Sequence, residues 1–209
     1  MVTELWDDTR IFGDSLDVSG PEQVEGFVAA AQKKLGNLHR LINCAGIKGV
    51  GNVLDCDTEN CRRVMSVNLD GTFLMCQALA RAVQHDNTTR AIVNISSGAG
   101  IMGVSNRLPY VASKFAVSGI TRTMGAGLRP NGIRVNAIAP GMIRTPFTAY
   151  MFDDPEKAKR IRAVHAIGRE GQPEEIVAVA ALLLTDAAGF MKGTVVSVDG
   201  GETACIPSV

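Results

Sequence analysis

The 209-residue sequence is poor in the residues from which metal sites and disulfide frameworks are built. Its five cysteines (Cys44, Cys56, Cys61, Cys76, Cys205) are odd in number, scattered and without a CxxC pair. They read as reduced, mostly packed thiols of a cytoplasmic protein. His39, His85 and His165 have no metal-ligand spacing, so no metal is expected. Net charge is also lacking: 21 acidic and 21 basic side chains cancel, and no basic block suits nucleic acid or an anionic membrane. No apolar run reaches the roughly twenty residues of a membrane span. The opening residues, MVTELWDD, are acidic and lack the order of a secretory signal. No repeat, linker or low-complexity tract divides the chain. What is present is 46% hydrophobic content with 22 glycines, the composition of a single α/β domain over 1–209 with a sizeable core.

Apolar strands alternate with amphipathic helices along the chain. Residues 10–12 and 15–18 read as pieces of a short strand. Ser19-Gly20-Pro21-Glu22 then reads as a capping box with Pro in the first turn. Val24, Phe27, Val28, Ala31 and Leu35 form one helical stripe that Gly36 ends. A short apolar strand over 38–44 leads into a glycine-containing loop at 47–57. A long helix is expected over 58–84 with Gly71 inside it, and an interior glycine marks close packing or a local irregularity. Further strands are expected at 91–95, 133–139 and 194–198, and further helices at 109–128 and 173–184. Phe115, Ile120 and Met124 are taken as the inward face of the helix at 109–128. Residues 142–171 have no single clean period and contain an amphipathic piece at 155–164. This alternation predicts a doubly wound parallel sheet.

The stretch AIVNISSGAGIMGVSNRLPYVASK, over 91–114, concentrates the chemistry. Its strand ends at Ser97, where the crevice of an open α/β sheet lies. Tyr110 and Lys114 are four residues apart, hence one helical turn apart on one face. A phenol titrates near pH 10, and a nearby ammonium favours its ionised form. The pair therefore suits acid/base work near neutral pH.

Ser97, the thirteen-residue step to Tyr110, and YVASK resemble the signature of the short-chain dehydrogenase/reductase family. INCAG at 42–46, VNLDG at 67–71, NISS at 94–97, PGMIRT at 140–145 and VDGG at 198–201 follow the family order. The resemblance implies a Rossmann-type fold of strand order 3-2-1-4-5-6-7 and reversible hydride transfer between NAD or NADP, with NAD slightly favoured, and a small alcohol or ketone. Tyr110 would be the general acid/base and Ser97 would hold the substrate oxygen. Lys114 would lower the Tyr110 pKa and bind the nicotinamide ribose. Asn68, which taken alone reads as a capped or solvated amide, would hold a proton-relay water. Cofactor contacts would come from Asp17 and Val18 near the adenine, Asn43, Ala45 and Gly46 on the adenosine side, and Pro140, Gly141, Ile143 and Thr145 at the nicotinamide. Cys44 stands where the family commonly has Asn. Residues 142–171 would be a substrate lid, with Met142, Phe147, Tyr150, Met151 and Phe152 as candidate pocket residues. Helices 58–84 and 109–128 are the faces through which the family forms dimers and tetramers.

One part of the family pattern is missing from this sequence. TGxxxGxG, which places a helix N-terminus under the cofactor pyrophosphate, does not occur. Gly13, Gly20, Gly26 and Gly36 form no phosphate loop, and Glu4 would take the place of the acid that binds the ribose of NAD. The expectation is a chain lacking the first βα unit through N-terminal incompleteness. The alternatives are a shortened variant with a rearranged sheet, or a catalytically silent binding or regulatory subunit.

Overall fold

The computed structural model describes residues 11–83 and 88–205. Four strands, β1 (Arg40–Asn43), β2 (Arg90–Ile95), β3 (Ile133–Pro140) and β4 (Val195–Val198), pair in parallel in the order β1-β2-β3-β4. The register sets Asn43 beside Asn94, Val93 beside Asn136 and Ile138 beside Val196. This sequential order fits the 4-5-6-7 half of the expected sheet. The centre of β2, Ala91-Ile92-Val93, is apolar on consecutive residues because both faces of the strand are covered, as parallel central strands require. Ile92, Ile133 and Val135 pack under α3 (Gly71–Ala82), against Cys76, Leu79 and Val83. Val93 and Ile138 pack on the opposite face beneath α6 (Pro173–Leu184), against Ala180 and Leu183. Successive strand residues thus feed two cores, one on each side of the sheet. Among the described residues β1 pairs only with β2, and Ile42 is 46% exposed.

Helix α1 (Pro21–Leu35) lies outside α3, with Val24 and Val28 against Ala78, and ends at Gly36 with φ +77°. Leu35, assigned to its apolar stripe, is exposed. The expected capping box at Ser19 does not form. Gly20 is the N-cap, and the Ser19 N–H and hydroxyl both donate to Asp17 Oδ1, at 2.9 and 2.7 Å. The Asp17 carboxylate thereby makes a turn of residues expected to be a strand, and 11–18 contains no strand. Residue 10, Glu4 and His85 lie outside the described residues, as does the end of the expected 58–84 helix.

That helix is interrupted. α2 (Thr58–Met65) passes into a π-turn at Ser66–Asp70 before α3 begins at Gly71. Both expected meanings of the interior glycine hold here. A Cβ on Gly71 would stand 2.6 Å from Val18 Cγ2, and the local irregularity sits immediately before it.

In α4 (Leu108–Gly127) the apolar period misleads. Phe115 is 45% exposed and Ile120 only partly buried, whereas Met124 packs, as expected, against the core beneath α3; the fully buried face is Ser113, Lys114, Val117, Ser118, Thr121 and Gly125. These mostly small or polar side chains let α4 lie close to the sheet: Gly125 meets the Gly193 backbone, where a Cβ would be 2.6 Å from Cα. Their polar atoms find partners, Thr121 Oγ1 accepting from Asn94 Nδ2 at 2.9 Å and Ser118 Oγ lying 2.8 Å from Ser96 Oγ.

No described cysteine forms a disulfide; only Cys76 is buried, so the thiols are less packed than expected. Burial pushes the Cys76 thiol up to about 12. Among the described residues no cluster suits a metal ion, and no helix is long and apolar enough to cross a membrane.

Candidate active site

Three local structures converge at the C-terminal end of the sheet. Ser97 continues β2 in extended conformation, φ −171° and ψ 161°, and its hydroxyl accepts from the Ala99 N–H at 3.2 Å to start the Gly98–Gly100 turn. Pro109 occupies the first turn of α4, where a missing N–H costs nothing, and Tyr110 and Lys114 follow on successive turns. Lys114 Nζ, almost fully buried, donates to the Ile95 carbonyl at 2.8 Å and so ties the helix to the end of β2.

Asn68 sits in the π-turn and is completely buried. Its Oδ1 accepts from the Ile47 N–H at 2.7 Å, and its Nδ2 donates to Ile47 O and Ser113 Oγ, both at 3.0 Å. Ser113 Oγ in turn donates to Tyr110 O at 2.8 Å. The amide is therefore neither capped nor solvated; it clamps the loop after β1 to α4. Gly46 passes through the gap between them, since a Cβ there would lie 3.3 Å from Asn68 Oδ1 and 3.7 Å from Lys114 Nζ. Ser113 is the functional neighbour that sequence reasoning missed, and its only signal is a serine within YVASK.

Burial holds the Tyr110 phenol above its ordinary pKa, while hydrogen bonding with Ser97 and the charge of Arg107 act downward. Burial likewise brings the Lys114 ammonium down to about 8, against a smaller upward pull from Cys44. The expected depression of Tyr110 by Lys114 is not what this geometry gives. The ammonium is bound to Ile95 O and stands 5.7 Å from the ring centre, and desolvation dominates. A phenol kept protonated beside a serine hydroxyl can deliver a proton to an oxygen held between them.

Two cavities meet at Ser97 and Tyr110. The larger, about 440 Å³, is walled by Cys44, Gly46, Ile95, Lys114, Pro140, Ile143, Thr145 and Ile176. The smaller, about 200 Å³, lies under Met142, Phe147, Tyr150 and Met151, with Lys48, Arg107 and Glu202 also on its wall. Phe152 does not line it and instead stacks under the Arg144 guanidinium at 4.5 Å.

The other candidates lie elsewhere. Asn43 is buried in β1 and donates to Asn94 Oδ1 at 2.9 Å. Gly141 is required by close approach, since a Cβ would stand 2.8 Å from Asp199 Cα. Ala45 lines neither cavity, and Asp17 and Val18 form the turn packed on Gly71. The two ends of 142–171 are stitched together: Gly171 N–H donates to Met142 O, and Arg144 N–H donates to Gly171 O, both at 2.9 Å. Glu170 accepts from Arg144 and Arg162, each at 2.7 Å, which holds its carboxyl down to about 2. His165 is buried at the same base, accepting from the Met142 N–H at Nε2 (3.1 Å).

The chain is similar to known proteins in sequence and fold. A family model described as enoyl-(acyl carrier protein) reductase matches residues 6–203. The inactive 2-(S)-hydroxypropyl-CoM dehydrogenase 2 of Xanthobacter autotrophicus is 39% identical, over 92% of this chain and 85% of that protein. Trans-4-hydroxycyclohexanecarboxylate dehydrogenase of Sinomonas cyclohexanicum is 38% identical, over 90% of this chain and 70% of its own length. The crystal structure of a gluconate 5-dehydrogenase from Burkholderia cenocepacia with NADP and tartrate aligns at a TM-score of 0.87 and 30% identity, covering 91% of this chain and 74% of that one.

Proposed function

The chain belongs to the short-chain dehydrogenase/reductase family, and from that premise we propose that it moves hydride between NAD or NADP and a small secondary alcohol or ketone. The family acts on CH–OH groups, and this chain is assigned to the same class. The observation that carries the reading is the shared wall: Ser97 and Tyr110 face both cavities, so two bound molecules would meet at the phenol.

The larger cavity fits the nicotinamide end of a dinucleotide in size and chemistry. Its walls are largely apolar, a glycine passes close to its base, and a buried ammonium lies within it. Lys114, Gly46, Pro140, Ile143 and Thr145 would hold that end. The pyrophosphate finds no glycine-rich cradle among the described residues. When bound, the dinucleotide supplies or takes up the hydride.

This chain's own residues handle the proton. Tyr110 gives its proton to the substrate oxygen during reduction and takes it back during oxidation; Ser97 donates a hydrogen bond to that oxygen. Lys114 ties α4 to the end of β2 through Ile95 O and would bind the nicotinamide ribose. Asn68 holds the loop on which Gly46 and Lys48 stand, and a relay water is assigned to it only by family likeness. Residues 142–171 cover the smaller cavity as a lid, and the exposed Phe73 and Phe115 on α3 and α4 suit a homo-oligomer face. Light scattering reads the oligomeric state directly.

Tyr110→Phe tests the reading, because it keeps the ring and removes the proton. Its turnover falls roughly 10²–10⁴-fold while calorimetric dinucleotide affinity is retained. Unchanged turnover would sink the role. Failure of the unmodified chain to bind either dinucleotide would instead favour a catalytically silent binding subunit.

A further inference from the structure

The smaller cavity carries charge that hydride chemistry does not need. Tyr150 is part of its wall and has three cations around it. Lys48 Nζ lies 3.9 Å from the ring centre on its face, Lys157 Nζ lies 5.0 Å away, and Arg107 Nη2 donates to the phenol oxygen at 3.4 Å. Lys48 also lies 5.0 Å from the Phe147 ring centre. Among the described residues none of these three cations forms an ion pair. Like charges gathered on one small aromatic repel each other, and the ring quadrupole only partly offsets that. An anion placed between Lys48 and Arg107 removes the repulsion and gains charge-assisted hydrogen bonds.

Another part of the wall carries the contrary sign. Glu202 is the one carboxylate lining this cavity. It lies beside Gly98, its Oε2 3.2 Å from where a Gly98 Cβ would be and 3.8 Å from His165 Nε2. An anion is therefore disfavoured beside Glu202 and favoured beside the cations at Tyr150, which orients a bifunctional substrate.

Resting on the oxidoreductase reading, we propose that the substrate is a small anionic alcohol or ketone. Its carboxylate or equivalent group sits between Lys48 and Arg107, and its reacting oxygen points to Ser97 and Tyr110. Lys48 and Arg107 are specificity-determining residues.

The test uses 4-oxopentanoate and its methyl ester as paired ketones with the full chain and reduced dinucleotide, alongside calorimetric binding of both. The acid is preferred by about tenfold or more in kcat/KM. Arg107→Gln and Lys48→Gln each raise the KM for the acid several-fold more than the KM for the ester, so the acid-to-ester ratio of kcat/KM falls, while Arg107→Lys restores part of the preference. Equal handling of acid and ester, or equal impairment of both by the variants, overturns the proposal and leaves the oxidoreductase reading intact. Absence of turnover of either ketone counts against the oxidoreductase reading, and calorimetry then decides. Selective binding of the acid that Arg107→Gln abolishes supports the anion site, and its absence refutes it.

Discussion

Two regions face each other across the cavities and are fastened by different forces. The ledge made by the end of β2, the π-turn and α4 is held largely by neutral hydrogen bonds of buried side chains, Asn68 to Ile47 and Ser113, Ser96 to Ser118, Asn94 to Thr121, with the Lys114 ammonium on Ile95 O as its one charged tie. The 142–171 segment above it is held largely by charge, through Glu170 with Arg144 and Arg162, and Arg169 with Glu175. Asn68, Asn94 and Thr121 are fully buried, whereas the Arg144 and Arg162 side chains are 47% and 45% exposed. Hydrogen bonds in a dry interior are geometrically strict and costly to leave unmade. Half-exposed ion pairs are screened and tolerate displacement. The contrast suits a site whose proton-transfer groups must not move and whose cover must.

The sharpest probe of the ledge is Lys114→Met, which removes the one buried ammonium beside Tyr110. Turnover falls on the order of a hundredfold or more, the scale of misplacing the reacting groups, because the ammonium that ties α4 to the end of β2 and lies in the larger cavity is gone. The variant also reports through stability. Burial lowers the Lys114 pKa from 10.5 to about 8, so between these values the unfolded chain holds a proton that the native chain has lost. Measured against the variant, which shares the raised Cys76 and Tyr110, the unmodified protein therefore gains stability as pH rises across that window. A stability difference between the two that does not change with pH would remove Lys114 from the buried, charge-strained role. The next largest effect is Asn68→Ala, which leaves the Ile47 N–H and carbonyl without their buried partner. The expected loss is about 2 kcal/mol or more, read as a lower denaturation midpoint that does not depend on salt.

Much of the ledge is legible in the sequence because its constraints are local. Tyr110, Lys114 and Ser97 lie within one strand–turn–helix unit, and a fixed helical period decides their geometry. Gly71 announced an irregularity for the same reason. The α4 face was misread because apolar periodicity identifies a core only where burial is hydrophobic. Here the inward stripe is serine, threonine and glycine, chosen by distance to the sheet, and Phe115 points outward. Asn43, Gly141 and the Asp17–Val18 pair were assigned to the cofactor by motif, yet their visible partners are Asn94, Asp199 and Gly71, which only the fold brings near. The cations at Tyr150 were illegible for the same reason. Lys48, Arg107 and Lys157 come from three separate loops and helix ends, and no spacing rule joins them.

Glu170→Gln gives the smallest effect and decides whether the contrast is real. Glu170 has its carboxyl lowered from 4.5 to about 2, first by Arg162 and then by Arg144. A depressed carboxylate stabilises the native state fully above its unfolded pKa, and that stabilisation is lost as pH falls through the folded pKa. The unmodified protein is therefore more stable than the variant at neutral pH by roughly 1 kcal/mol, since both partners are half-exposed. The difference shrinks as pH falls from about 4.5 towards 2 and as salt is added. Because both arginines remain and only the charge is lost, the base of the 142–171 segment loosens without leaving a cavity. KM should change more than kcat, since this segment lines the smaller cavity and carries neither Tyr110 nor Ser97. A Glu170→Gln deficit as large as that of Asn68→Ala, and equally blind to salt and acid, would mean that the cover is built as rigidly as the ledge.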